Sequence, residues 1–176
     1  VRFDHSSLLN RPIGSSGLPW HAHSHTGDDD GLGPTTEHNG LQLVRTLLYP
    51  HGSSPTDGGS FKLIPGAHLL REIERWRGFD PADSSCSSWL RSQRHPVTGN
   101  PLTIKELTLP KGSMISFHHH MPHDVSPRMQ GGTRKALLLS YREIDPAGIL
   151  RSRSRGVPQA WLEELPAAQR AIFDEF

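Results

Sequence analysis

The sequence predicts an all-β jelly roll or barrel rather than a βαβ sheet, and three observations predict it. Short runs rich in Val, Leu, Ile and Thr recur along the chain, about eight of them. Turn formers, 17 Gly and 15 Pro, are spread between those runs over the whole length. Helical periodicity shows in one internal stretch and again at the C-terminal end, so helices do not alternate with strands.

Taken in order, residues 2–9 (RFDHSSLL) form a short strand ended by Asn10, Pro12 and the turn region from Gly14 to Gly17. Trp20 to His25 alternates as W-H-A-H-S-H, so an extended backbone points His21, His23 and His25 to one face. Residues 26–40 have almost no apolar content and read as a lid loop. Residues 41–49 (LQLVRTLLY) are the clearest early strand. A turn over 50–59 contains Pro50, Gly52, Pro55, Asp57, Gly58 and Gly59, and Phe61 to Ile64 is strand-like up to Pro65-Gly66. Leu69, Leu70, Ile73 and Trp76 stand at helical spacing and predict a helix over 68–77. Residues 78–101 hold Pro, Ser, Gly and Asn and read as a surface insert. Strands follow at 102–109, 113–118 and 134–142, the last (RKALLLSYR) apolar at its centre. From Pro158 a helical tail, within 151–176, is split at Pro166.

The 176 residues suffice for one domain over 1–176 with a sizeable core, and not for two. Lys+Arg 19 against Asp+Glu 18 leaves a net charge of +1, which argues against a nucleic-acid partner. The RSRSR run at 151–155 then reads as a solvated linker. No run approaches the roughly 18 apolar residues of a membrane span. Val1-Arg2-Phe3-Asp4 carries no apolar leader core and no starting Met, so a cytoplasmic chain with a trimmed N-terminus is expected. The single Cys86 excludes an intramolecular disulfide framework and a thiolate zinc cluster. It has no His nearby in sequence, which argues against a nucleophile.

Against that one Cys stand 12 His, seven of them in two short clusters about a hundred positions apart. The first is WHAHSH at 20–25. Imidazoles at i and i+2 of a strand share a face and can share an ion, although imidazole suits Zn, Fe, Cu and Ni alike. The bland alternative is a polar strand with solvated histidines. The second is SFHHHMPHDV at 116–125, where alternation puts His118 and His120 on one face and His119 on the other. Pro122 breaks that strand before His123. One or two of these histidines read as ligands and the rest as pocket lining or solvent-facing. Arg134 follows His123 by 134 − 123 = 11 positions and opens the last strand. Its five fixed donors suit a carboxylate held bidentately. His25 and His119 read as pocket lining, His38, His51 and His95 as solvent-facing, and Trp76 and Trp89 as packing residues.

Three stretches, in this order, resemble the phytanoyl-CoA dioxygenase-like family of Fe(II)/2-oxoglutarate oxygenases. WHAH at 20–23 looks like the family's Trp-His-x-Asp. DGGSFKLIPGAH at 57–68 is similar to its Gly-Gly segment ending in Pro-Gly-Ser-His. LPKGSMISFHHHMPHDVSP…GGTRKALLLSYR at 109–142 looks like its closing His…Pro…Arg segment. The resemblance implies a double-stranded β-helix that holds Fe(II), with 2-oxoglutarate as co-substrate. It also implies hydroxylation of a small organic substrate by O₂, with release of succinate and CO₂. By position His21 is the first ligand, His123 the distal ligand, and Arg134 the partner of the far carboxylate of 2-oxoglutarate. Asp57, Gly58 and Gly59 are turn residues, and PGAH supports the site without touching metal. Family members carry a longer lobe before the first motif, so this chain reads as short at its N-terminus.

One position departs. The facial triad needs two His and one carboxylate, and His23 stands where the carboxylate is expected, giving the set His21, His23 and His123. A third neutral ligand leaves the ferrous site one unit more positive, which strengthens its pull on anionic 2-oxoglutarate and disfavours higher oxidation states. Three outcomes are open: turnover with three histidines, completion by Asp28, Asp29 or Asp30 from the lid, or a site without turnover. A halogenase fits less well, because that class places a small residue there. A cupin-type dioxygenase would use His21, His23 and either His118 or His123, with Asp28 as acidic ligand, but leaves Arg134 and DGG…PGAH without a role. A degenerate barrel that binds metal without turnover is the non-enzyme alternative. A zinc hydrolase of the His-x-His-x-Asp-His type fails at His25 and Thr26, and a TIM barrel is excluded by length.

Overall fold

A computed structural model describes residues 2–23, 43–70, 72–142 and 163–166. The predicted lid at 26–40 lies outside the described residues, as does the tail at 151–176 apart from 163–166. Eight strands are present among them: β1 (Arg2–Arg11), β2 (Leu18–His21), β3 (Leu43–Tyr49), β4 (Phe61–Leu63), β5 (Lys105–Glu106), β6 (Ser113–His118), β7 (His123–Val125) and β8 (Arg134–Arg142). They pair antiparallel into two four-stranded sheets, ordered β1-β8-β3-β6 and β2-β7-β4-β5. The chain passes back and forth between the sheets as it advances, which makes the fold a double-stranded β-helix, a jelly roll of the cupin-like kind.

Side-chain alternation sets which face of the first sheet points inward. On β8, Arg134, Ala136 and Ser140 are buried while Lys135 between them is exposed. On β3, Leu47 and Tyr49 face the same way, and Phe117 joins them from β6. Phe61 and Val125 come from the second sheet to meet this set, and the Phe61 and Phe117 rings lie 5.1 Å apart. This is the cluster that holds the two sheets face to face. Each such buried large side chain contributes about 1.5–3 kcal/mol relative to an exposed one.

A second cluster backs the other sheet and corrects two expectations. The predicted helix over 68–77 is instead two 3₁₀ turns, Ala67–Leu70 and Ile73–Trp76. Ala67, Leu70 and Trp76, three and six residues apart, all join this cluster, whereas Leu69 is exposed. A spacing of three is the repeat of a 3₁₀ turn, whose i and i+3 side chains eclipse. The stretch 78–101, expected to be a surface insert, contains the helix α1 (Ser84–Ser92) and supplies Phe79 and Leu90 to the core. Asp83 caps α1 by accepting from Ser85 N and Cys86 N at 2.8 and 2.9 Å. Phe79 lies edge-on to Trp20 at 5.9 Å and to Trp76 at 5.2 Å, and Trp76 meets Trp89 at 5.1 Å. This chain of aromatic rings braces β2 one residue before His21.

Two smaller differences follow from local geometry. The predicted strand 102–109 shrinks to Lys105–Glu106, with a separate bridge between Leu109 and Ser53. His95 is half-buried rather than solvent-facing: its Nδ1 accepts from Val97 N and Thr98 N, and its ring packs where a Cβ on Gly66 would stand. His51 is exposed and Cys86 packs against the second cluster; His25 and His38 lie outside the described residues.

A candidate metal centre

β2 and β7 are neighbours in the second sheet, and their register sets His21 directly opposite His123. The two rings lie 4.2 Å apart between centroids. β2 stops at His21, so His23 reaches the site from the segment beyond the strand rather than by alternation along it. Its backbone N–H donates to the His119 carbonyl at 3.2 Å, and its ring lies 5.1 Å from His21 and 5.4 Å from His123. The three residues each offer one ligand atom within 4.8 Å of the others. Among the described residues no other group of three or more His, Cys, Asp or Glu is gathered in this way. The strand β6 ends at His118, so His119 and His120 occupy a turn instead of continuing the alternation. His118 stacks on His68 and His119, away from the three-histidine set. Asp28, Asp29 and Asp30 lie outside the described residues.

Two of the three rings are oriented in the same way. Nδ1 of His21 donates to the Pro19 carbonyl at 2.8 Å, and Nδ1 of His123 donates to the Met121 carbonyl at 2.8 Å. A carbonyl only accepts, so Nδ1 carries the proton in both, and in the neutral ring the lone pair is then on Nε2. A protein ligand to a cation must present that lone pair unprotonated. Burial above all pushes the His123 ring down to about 3, with His21 and Arg45 adding to it against the opposing Met121 carbonyl. His23 falls to about 2, again chiefly through burial, with Arg45, His123, His21 and His120 also pressing downward. Phe61 and Phe117 flank the His123 ring at 5.3 and 5.1 Å and keep water from it. Three imidazoles gathered in this way fit a divalent first-row metal.

Arg45, which the sequence reading passed over, enters from the inner face of β3. Its Nη1 donates to His23 Nε2 at 2.8 Å. The signal that marks it is parity, since residue 45 shares its strand face with Leu47 and Tyr49.

Arg134 lies on the same inner face, on β8, and is 3% exposed. Its Nη1 donates to the Tyr49 hydroxyl at 3.4 Å, and the guanidinium carbon sits 5.4 Å from the Tyr49 ring centroid. Burial lowers its pKa from the ordinary arginine value. Among the described residues no carboxylate pairs with it, and its Nε is buried without a hydrogen-bond partner. A buried guanidinium with donors to spare is a receptor for an anion.

The Gly58-Gly59 turn and a further buried arginine place Arg134. Gly58 has φ 72 and ψ 178, a conformation open to glycine, and a Cβ there would stand 2.1 Å from the Pro127 carbonyl oxygen. A Cβ on Gly59 would stand 3.2 Å from Arg128 Cδ and 3.5 Å from Arg134 Cδ. Arg128, also missed in the sequence, donates to the carbonyls of Gly58, Gly131 and Gly132 at 2.8, 3.0 and 2.9 Å. It thereby ties the turn that precedes Arg134 to the glycine pair. PGAH contributes Ala67 to the core, and its His68 stacks on His118 at 5.6 Å.

No protein-family model matches the sequence, and no curated protein matches it. Solved structures do. The chain aligns with the non-heme alpha-ketoglutarate-dependent carbocyclase SnoK from nogalamycin biosynthesis at TM-score 0.56 and 17% identity, over 94% of this chain and 56% of that one. It aligns with the epimerase SnoN of the same biosynthesis at TM-score 0.54 and 13% identity, over 89% and 55% of the two chains. With EctD from S. alaskensis the TM-score is 0.54 and the identity 16%, over 88% and 53%. At these identities the likeness is one of fold. The chain spans about half the length of these structures. Among the described residues no helix is long and apolar enough to cross a membrane.

Proposed function

We propose that this chain is a non-haem Fe(II)- and 2-oxoglutarate-dependent dioxygenase that hydroxylates a small organic substrate with O₂, releasing succinate and CO₂. One observation carries the reading. Three histidines converge on one sheet, while Arg134, a buried guanidinium with no carboxylate partner among the described residues, stands on the facing sheet. A ligand with a metal-binding end and a distant carboxylate answers both. The fold shared with alpha-ketoglutarate-dependent enzymes supports the assignment.

His21 and His123 would hold the iron, with His23 as third ligand, and Arg134 with Tyr49 would receive the far carboxylate of 2-oxoglutarate. When bound, Fe(II) supplies activation of O₂ coupled to oxidative decarboxylation of 2-oxoglutarate. The chain's own part is to orient the rings through the Pro19 and Met121 carbonyls, to exclude water with Phe61 and Phe117, and to fix the co-substrate at Arg134.

Protein reconstituted anaerobically with Fe(II) should bind 2-oxoglutarate and form succinate when air is admitted. Protein that neither binds 2-oxoglutarate nor forms succinate would defeat the reading. The three-nitrogen ligand set specifically favours one alternative, a three-histidine cupin-type dioxygenase. Such an enzyme would be indifferent to Arg134→Ala, whereas a 2-oxoglutarate enzyme loses co-substrate binding.

A further inference from the structure

His23 has one lone pair and two claimants. A neutral imidazole carries one N–H and one acceptor nitrogen. Arg45 Nη1 stands 2.8 Å from His23 Nε2, and a guanidinium donates only, so the acceptor nitrogen is taken by Arg45. The same ring belongs to the three-histidine group, and a cation at that group needs the same lone pair. This holds whichever nitrogen faces the ion. Were it Nδ1, Nε2 would have to carry the proton and could no longer accept from Arg45. The contrast is His123, whose Nδ1 donates to the Met121 carbonyl at 2.8 Å and whose acceptor nitrogen is therefore Nε2; Nδ1 of His21 likewise donates to the Pro19 carbonyl.

The backbone makes the competition a built feature. Arg45 projects from the inner face of β3 in register with the fully buried, small Ser140 of β8. His23 is pinned by its own N–H to the His119 carbonyl. We infer that Arg45 is a positioning residue that competes with the metal for His23. With the Arg45 bond made, the ion is held by His21 and His123, and His23 joins only when Arg45 lets go. The inference rests on the metal-binding reading above and adds a control, carried by the chain itself, over the number of protein ligands.

Co(II) titrations of wild type, Arg45→Met, His23→Ala and the double variant, followed by calorimetry and visible absorption, test it. A hydrogen bond to a charged group is worth enough that Arg45→Met should tighten Co(II) binding about tenfold or more, with a spectral change from the added nitrogen. His23→Ala should weaken wild-type binding less than about threefold, yet remove the whole gain in the Arg45→Met background. Arg45→Lys keeps a donor and a charge and should stay close to wild type. Arg45→Leu gives the same comparison should Arg45→Met not fold. If the gain from Arg45→Met survives in the absence of His23, removal of charge alone explains it and the inference is wrong. If His23→Ala costs wild type as much as it costs Arg45→Met, His23 is an ordinary ligand and the inference is wrong. Wild type that binds no Co(II) would overturn the metal-site reading and this inference with it.

Discussion

Arg134 sets a cost against a use at the scale of one side chain. It is 3% exposed, donates to Tyr49 and has no counter-charge among the described residues. A buried charge without a partner destabilises, and its replacement by a well-packed apolar residue is often stabilising by about 1–4 kcal/mol. Arg134→Met should therefore raise the urea midpoint of the ligand-free protein while weakening 2-oxoglutarate binding at least about thirtyfold, an effect of about 2 kcal/mol or more. A variant that loses stability and keeps its affinity would remove Arg134 from the site. The buried histidines give a second prediction with a defined sign. Unfolded histidines take up protons as pH falls through about 6.5, whereas the folded rings of His123 and His23 do so only near about 3 and about 2. Unfolding thus binds protons in the window between these values, so the metal-free protein is most stable above it and loses stability as pH falls through it. From pH 7 to 5 each ring accounts for about 2 kcal/mol, and the coupled pair for less than twice that. Denaturant midpoints across that range check it, and a pH-independent midpoint would refute the burial argument. At this scale order and motif alone singled out His21, His23 and His123 in the sequence, and the fold brings the three together. Arg45 and Arg128 were hidden because an arginine's burial depends on what the opposite strand places against it.

Among the elements, legibility followed length and composition. β3 and β8 could be read because seven and nine residues in one run are rich in Leu and bounded by turn formers. β7 is three residues long and follows a proline, too short for any period to show. α1 reads SSCSSWLRS, with three apolar residues in nine and serines that favour caps and turns over helix interiors. Its clearest local signal was the capping Asp83. Misreading that segment as surface also concealed its task, because Phe79 carries the packing of Trp76 and Trp89 through to Trp20 beside His21. Phe79→Ala should cost about 3–5 kcal/mol of stability, and should also weaken metal binding by freeing β2. Phe79→Leu should recover most of both. Thermal unfolding together with a Co(II) titration would decide, and a stability loss with unchanged affinity would separate the brace from the site. Gly58 offers an independent element-scale check. Its glycine-only backbone conformation and the nearby Pro127 carbonyl make Gly58→Ala a loss of about 2 kcal/mol or more, read as a lower urea midpoint.

For the molecule as a whole, the decisive fact is that the candidate site residues are divided between the sheets. His21 and His123 belong to β2 and β7, whereas Arg45, Tyr49 and Arg134 belong to β3 and β8. The apolar cluster around Phe61 and Phe117 joins the same two sheets. An all-β barrel or jelly roll was legible from strand count and turn density, but the placement of the three histidines and Arg134 on opposite walls comes from topology, which no local pattern states. A metal bound to one sheet and a dicarboxylate reaching the other would cross-link them, so their contributions to stability should be coupled rather than additive. Each ligand at a hundred times its dissociation constant adds about 2.7 kcal/mol, or roughly 5–10 °C in Tm for a chain of this size. Mn(II), a probe that avoids turnover, should raise Tm alone. 2-Oxoglutarate alone should raise it little, and the two together should exceed the sum of their separate shifts. In Arg134→Met the Mn(II) shift should persist and the extra 2-oxoglutarate shift vanish. Strictly additive shifts in wild type, or a 2-oxoglutarate shift that survives Arg134→Met, would mean that the two receptors are not ends of one site.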